Sequence, residues 1–132
     1  MGVPESVPPP GNKRYQDLTA WTACHDLFLT VHRCTGHWPT VERYGLTSQA
    51  RRAAFSAAAN IVEGSSRNTA RQFRHFLAVS LGSLGELSYA LLAARDIGLL
   101  SPAVYGEVEA LRDHASRVTW GLYAAVSRRA KK

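Results

Sequence analysis

Few residues in this sequence could do chemistry, and their spacing excludes the common catalytic and metal-binding arrangements. His25 and His32 are seven apart. On a helix they share a face but stand about 10 Å from each other, too far to chelate one ion unaided. None of the six glutamates has a histidine three residues later, so the paired Glu-x-x-His sets of di-iron bundles are absent. There is no HExxH and no Cys-x-x-Cys, the spacings that build zinc sites. Cys24 and Cys34 fall on one expected helix, where ten residues rise about 15 Å. A disulfide needs Cα atoms within roughly 7 Å, so both read as small apolar residues. No Gly-x-Ser-x-Gly elbow occurs, and neither cysteine lies in a His-paired motif. Leu81-Gly82-Ser83-Leu84-Gly85 is glycine-rich, but it sits inside a heptad pattern, which reads as close helix packing. Phosphate loops and dinucleotide fingerprints also need a preceding strand, and none is legible. These readings predict no metal, no cofactor and no enzyme.

Two groups of polar residues remain. Asn60 lies on the expected core face of its helix, with Glu63 close by. A buried Asn costs stability but can fix register and oligomer state. Glu63 could accept hydrogen bonds from Arg67 or a neighbouring helix. With no second catalytic partner legible, Asn60 and Glu63 read as structural polar core rather than as an acid/base pair. The second group is basic. Arg51, Arg52, Arg67, Arg71 and Arg74 face a single acid, Glu63, between residues 51 and 74. Guanidinium forks match phosphate geometry, so this run is the candidate nucleic-acid footprint. The plain alternative is a solvated face in a chain that prefers Arg to Lys.

Four helices must position these residues, and no strand is legible. The first is expected to start at Asp17 as N-cap and to carry Trp21, Cys24, Phe28 and Val31 on one face. Gly36 and Pro39 end it. The second starts at Thr47 or Ser48 and lines its core face with Ala50, Ala53, Ala57, Asn60 and Gly64, small residues that permit close approach. Phe55 and Val62 lie about 200° away. A helix apolar on two sides is buried on two sides, so this stripe predicts a subunit interface. The third opens on the Thr69–Gln72 capping box and repeats apolar residues from Phe73 to Ala94, with Gly98 beyond. The fourth opens on Ser101-Pro102. Its expected seam is Val104, Val108, Leu111, Ala115, Val118, Leu122 and Ala125. This periodicity predicts an all-α, antiparallel up-down four-helix bundle. Trp120 lies off that seam, as an exposed aromatic or an oligomer contact.

The expected domain is residues 15–127, between a flexible Pro-rich arm at 1–14 and a basic tail at 128–132. The 132 residues suffice for a core without staples, and 45% hydrophobic with 20% charged residues is an ordinary globular composition. No uninterrupted apolar run approaches a membrane span, and the N-terminus lacks a signal-peptide pattern, so cytoplasmic residence is expected. The formal net charge of +6 favours polyanionic partners.

Tyr15-Gln16-Asp17-Leu18 with Trp21, then Glu42-Arg43-Tyr44-Gly45-Leu46-Thr47-Ser48-Gln49, resemble the four-helix-bundle proteins encoded in 23S ribosomal RNA intervening sequences. So do Arg51-Arg52-Ala53 with Ser56, Asn60-Ile61 with Glu63-Gly64 and Arg67, Phe73 with Phe76-Leu77, and Gly82-Ser83-Leu84 followed by Glu86-Leu87. The resemblance covers roughly residues 15–100. It implies a non-enzymatic homo-oligomer, a pentameric ring. The accessory variability protein of diversity-generating retroelements is similar, which implies possible RNA or DNA as partner. A protein-scaffolding ring is the alternative. Within the resemblance, Arg51, Arg52 and Arg67 fall at basic positions, and Asn60 and Glu63 at polar core positions. Ala57-Ala58 stand where the family often has Ile-Pro, which predicts a straighter second helix. Val62 replaces a usual alanine on the proposed interface stripe.

Overall fold

The computed structural model describes residues 14–131, so the expected Pro-rich arm lies, apart from Arg14, outside the described residues. Four helices make up the fold: α1 at Thr19–Thr35, α2 at Leu46–Ser65, α3 at Ala70–Asp96 and α4 at Pro102–Ala130. Each packs on two neighbours, in the cycle α1–α2–α3–α4–α1, and the backbones of the diagonal pairs stay farther apart. This is the expected all-α four-helix arrangement, with contacts of an up-down bundle.

Local chemistry sets most helix ends. Thr69 Oγ1 accepts the Gln72 N–H at 3.2 Å and opens α3. Ser101 Oγ does the same for Val104 at 3.2 Å, with Pro102 at the first turn of α4. Gly98, at φ +87°, turns the chain between α3 and α4, a conformation that glycine adopts without steric cost. The start of α1 differs from expectation. Asp17 closes a 3-10 turn at Tyr15–Asp17 and caps nothing; extended Leu18 holds the cap position. Packing replaces the cap there: the Tyr15 ring meets Trp21 edge-on at 5.2 Å, and Leu18 leans on the core.

The α2–α3 contact is the tightest in the bundle. Ala50, Ala54, Ala57 and Ile61 are fully buried, and α2 runs unbroken through Ala57-Ala58. A Cβ on Gly64 would lie 2.8 Å from Phe73 Cδ1 and 2.9 Å from Phe76 Cβ. Polar links cross the same seam: Ser80 Oγ donates to the Ala57 carbonyl at 2.7 Å, and Ser56 and Ser83 hydroxyls share a 2.7 Å bond. On α3 the expected leucines 77, 84, 87 and 91 are buried as read.

Two sequence readings are corrected. Gly82 and Gly85 do not serve close helix packing within the chain, because nothing lies within 4 Å of a Cβ at either. They sit on an outer face of α3 with Ala78, Val79 and Tyr89, all exposed. Helix α3 as a whole is apolar enough, at mean hydropathy 1.5 over eighteen residues, to match a membrane span by length and composition. Its leucines are nevertheless packed inside the bundle. The seam of α4 is rotated from the expected one. Val108 and Ala115 are buried as read, but Thr119 and Val126 complete the buried set and Leu111 is 41% exposed. Arg112 takes a seam position and is tolerated because its guanidinium forks onto Glu109, with Nε at 2.9 Å and Nη2 at 2.7 Å. Those bonds hold the Arg112 guanidinium above its usual value. Helix α4 runs through Ala130 and takes Arg128 and Arg129 into its last turn.

The glycines give opposite expectations. Gly64→Ala should lower stability by about 1–3 kcal/mol, the range for overpacking a closed seam. Gly106→Ala, on the exposed side of α4 with nothing within 4 Å of a Cβ, should raise it by roughly 0.5–1 kcal/mol, because alanine restricts the unfolded chain and meets open space in the fold. Urea unfolding of both variants checks the pair.

Candidate nucleic-acid interface

The five candidate arginines do not form one patch. Arg51 and Arg52 lie near the start of α2, whereas Arg67, Arg71 and Arg74 lie around the turn from α2 to α3. The stretch of α2 between Arg52 and Ser65 separates them by roughly 20 Å. The bundle therefore has two basic ends.

At the first end, Arg51 is committed to structure. Its Nε donates to Thr35 Oγ1 at 2.7 Å and its Nη2 to the His32 carbonyl at 3.2 Å. Thr35 in turn donates to the Val31 carbonyl at 2.8 Å. Arg51 thus supplies a partner for a carbonyl that the end of α1 leaves open. Arg52 is exposed beside it.

At the second end, Arg67 is also engaged. It pairs with Glu63 one turn back, and its guanidinium carbon stacks 4.8 Å from the Phe76 ring centroid. Glu63 is therefore not a core residue. Its side chain is 51% exposed, because the core position one residue on belongs to Gly64, which is buried. Asn60 is half-buried and donates Nδ2 to the Ser56 carbonyl at 2.8 Å and to Ser56 Oγ at 3.0 Å. Through Ser56 it joins the polar link to Ser83 on α3. Arg71 is exposed and Arg74 half-buried, and neither forms an ion pair among the described residues.

Arg128 and Arg129 belong to this second end, which sequence proximity alone does not reveal. Helices α3 and α4 run antiparallel, in a register marked by Arg95 stacked 4.8 Å over Tyr105 and by Ser88 bonded to Glu109. Carried along both helices, that register puts the last turn of α4 beside the first turn of α3. Exposed Arg128 and Arg129 thus join Arg71 and Arg74. The clue in the sequence was the short connection at Gly98.

The proposed interface residues lie apart. Phe55 is 60% exposed and meets the Phe28 ring edge-on at 5.9 Å. With Val62 it borders a groove of about 320 Å³ that Tyr15, Trp21 and His25 also line. His25 stacks on Trp21 at 4.8 Å, so an aromatic ladder runs along α1 beside the α2 stripe. Trp120 is 59% exposed and stacks on Tyr123 at 5.3 Å.

A model of the 23S rRNA-intervening sequence protein family matches residues 16–121. The chain belongs to this family. No curated protein matches the sequence. The family match runs from the turn before α1 to Gly121 and thus takes in α1, α2, α3 and α4 as far as Gly121, but it ends before Arg128 and Arg129. The basic end is therefore built from family positions on α3 and from residues beyond the family match on α4.

Nucleophilic chemistry finds no support at the cysteines of this family member. Burial pushes the Cys24 thiol up, and its hydrogen-bonding contacts with Thr119 and Ser80 only partly oppose it. Burial raises the Cys34 thiol too. Both are thiols at neutral pH, and the thiolate is the reactive form.

The two neighbouring arginines should separate by stability. Arg51→Ala should cost about 1–3 kcal/mol, as for lost hydrogen bonds to a charged group. Arg52→Ala should stay within about 0.5 kcal/mol of wild type, as surface changes do. Thermal unfolding of both variants at one pH and salt concentration is the check.

Proposed function

We propose that this family member is a non-catalytic, cytoplasmic homo-oligomer, a pentameric ring, that binds structured RNA or DNA through its basic end. The observation that carries the binding reading is the gathering of Arg71, Arg74, Arg128 and Arg129 at one end of the bundle, none paired with an acid among the described residues. Glu63 is the nearby carboxylate, and Arg67 engages it. Unpaired, solvent-facing guanidinium groups can displace counterions from a phosphate backbone, which is the main source of sequence-independent affinity. The footprint expected from residue order narrows accordingly: Arg51 and Arg67 serve the fold first, and Arg52 belongs to the other end.

Two apolar surfaces support assembly. One is the aromatic ladder of α1 with Phe55 and Val62 of α2. The other is the outer face of α3, where Val79 is 40% and Tyr89 73% exposed around Gly82 and Gly85. Two distinct apolar patches on one chain suit a head-to-tail contact, which builds a ring when the rotation between copies closes.

The binding reading is tested with Arg71→Ala/Arg74→Ala against structured RNA and duplex DNA. Affinity should fall, and the slope of log affinity against log salt should flatten by about 0.9 for each duplex phosphate that is no longer neutralised. An unchanged slope counts against this end as the interface. For assembly, multi-angle light scattering should give a multimer for wild type and a monomer for Phe55→Asp. A monomeric wild type would overturn the ring.

A further inference from the structure

The arginines left at the other end border a cleft that the backbone-binding reading does not use. It has a volume of about 440 Å³ and lies between the end of α1, the turn at Thr40–Glu42 and the first turn of α2. That size is within the range of small-ligand sites, about 300–1,000 Å³. Three of its lining residues are Arg43, Arg51 and Arg52, and none of them forms an ion pair among the described residues. Arg51 is held in place by Thr35 and the His32 carbonyl, bonds made by Nε and Nη2, which leaves its Nη1 donors uncommitted. Among the described residues it is thus a guanidinium held in place with donors to spare.

The remaining donors suit the same guest. Thr47 and Ser48, in the first turn of α2, line the cleft. Gly45 at the cap position supplies no side-chain acceptor, and Glu42 Oε1 takes only the Leu46 N–H, at 3.4 Å. The next N–H groups have no partner within the helix and favour an anion. Trp38 also lines the cleft, and its indole, whose Nε1 is buried without an acceptor among the described residues, reports on what binds there. Buried donors are seldom left unpaired. At the rim Tyr44 is 89% exposed, a ring on which a base can stack.

We propose that this cleft binds the phosphate of a single nucleotide unit, with the phosphate held by Arg43, Arg51 and Arg52 and the base against Tyr44. The unit is either a free nucleotide or the 5′-phosphorylated end of a nucleic-acid chain. The proposal deepens the nucleic-acid reading, but the cleft and the basic end are separate sites and succeed or fail separately.

The test is an ¹⁵N–¹H titration of the full chain that follows the Trp38 indole and the Thr47 and Ser48 amides. Trp38→Phe assigns the indole among the three tryptophans. The probes are AMP, adenosine, and a short single-stranded oligonucleotide with and without its 5′-phosphate. Saturable shifts are expected with AMP or the phosphorylated oligonucleotide. Their counterparts without phosphate should bind weaker by about tenfold or more, the equivalent of 1.4 kcal/mol. Tighter binding of the oligonucleotide than of AMP identifies a chain end as the source, and the reverse order a free nucleotide. Arg43→Ala/Arg52→Ala should abolish the preference for phosphate, while Arg71→Ala/Arg74→Ala should keep it. The proposal is overturned if neither phosphorylated probe shifts these resonances up to millimolar concentration. It is equally overturned if the probes without phosphate bind as tightly. If duplex binding through the basic end persists in either case, only the cleft has failed.

Discussion

The close approach of α2 to α3 is the constraint on which the rest of the structure depends. Alanines and Gly64 remove side-chain bulk from one face of α2, and Phe73 and Phe76 of α3 fill the space against Gly64. Across this seam the hydroxyls of Ser80 and Ser83 bond α2 directly. A helix that packs through alanine must place its large apolar residues elsewhere. Phe55 therefore stands on the outside, where its ring meets Phe28 of the α1 ladder edge-on.

The same constraint divides the charge. With α2 and α3 antiparallel and tightly joined, Arg52 and Arg71 are carried to opposite ends of the bundle. Each end then recruits residues distant in sequence. The turn before α2 brings Arg43 and Trp38 to one end, and the return of α4 brings Arg128 and Arg129 to the other. Fixed arginines are the common element. Arg51 is tied to the end of α1 and Arg67 to Glu63 and Phe76, while their neighbours remain free to meet an anion. In this way the bundle gains two arginine-rich surfaces of different shape, one open and one cleft-like.

Much of this was legible in the residue order. The α3 seam, the Thr69 and Ser101 caps and the Gly98 turn follow from patterns with a single physical reading. The register of α4 did not, because its apolar face is broad and two adjacent stripes share Val108 and Ala115. The choice between them falls to residues whose burial depends on partners. Thr119 is buried because its hydroxyl meets Cys24 Sγ at 3.6 Å, and Arg112 because Glu109 neutralises it. Neither signal exists before the helices pack. Glu63 was misplaced for a related reason: Asn60 and Gly64 are on the seam, and the carboxylate between them turns outward to Arg67. Arginines close in sequence form two clusters in space because the twenty residues of α2 carry Arg52 and Arg67 to opposite ends of the bundle. The family resemblance gave the fold and correct membership, but the division of the arginines became visible only in the folded chain.

The central claim is that the unpaired arginines meet nucleic-acid phosphates. The most direct measurement is a titration of the wild-type protein with structured RNA and with duplex DNA at several salt concentrations. The account predicts micromolar or tighter binding near physiological salt, with log affinity falling steeply and linearly against log salt. No binding to either polymer, even at low salt, would contradict it and would turn attention to a protein partner for the ring.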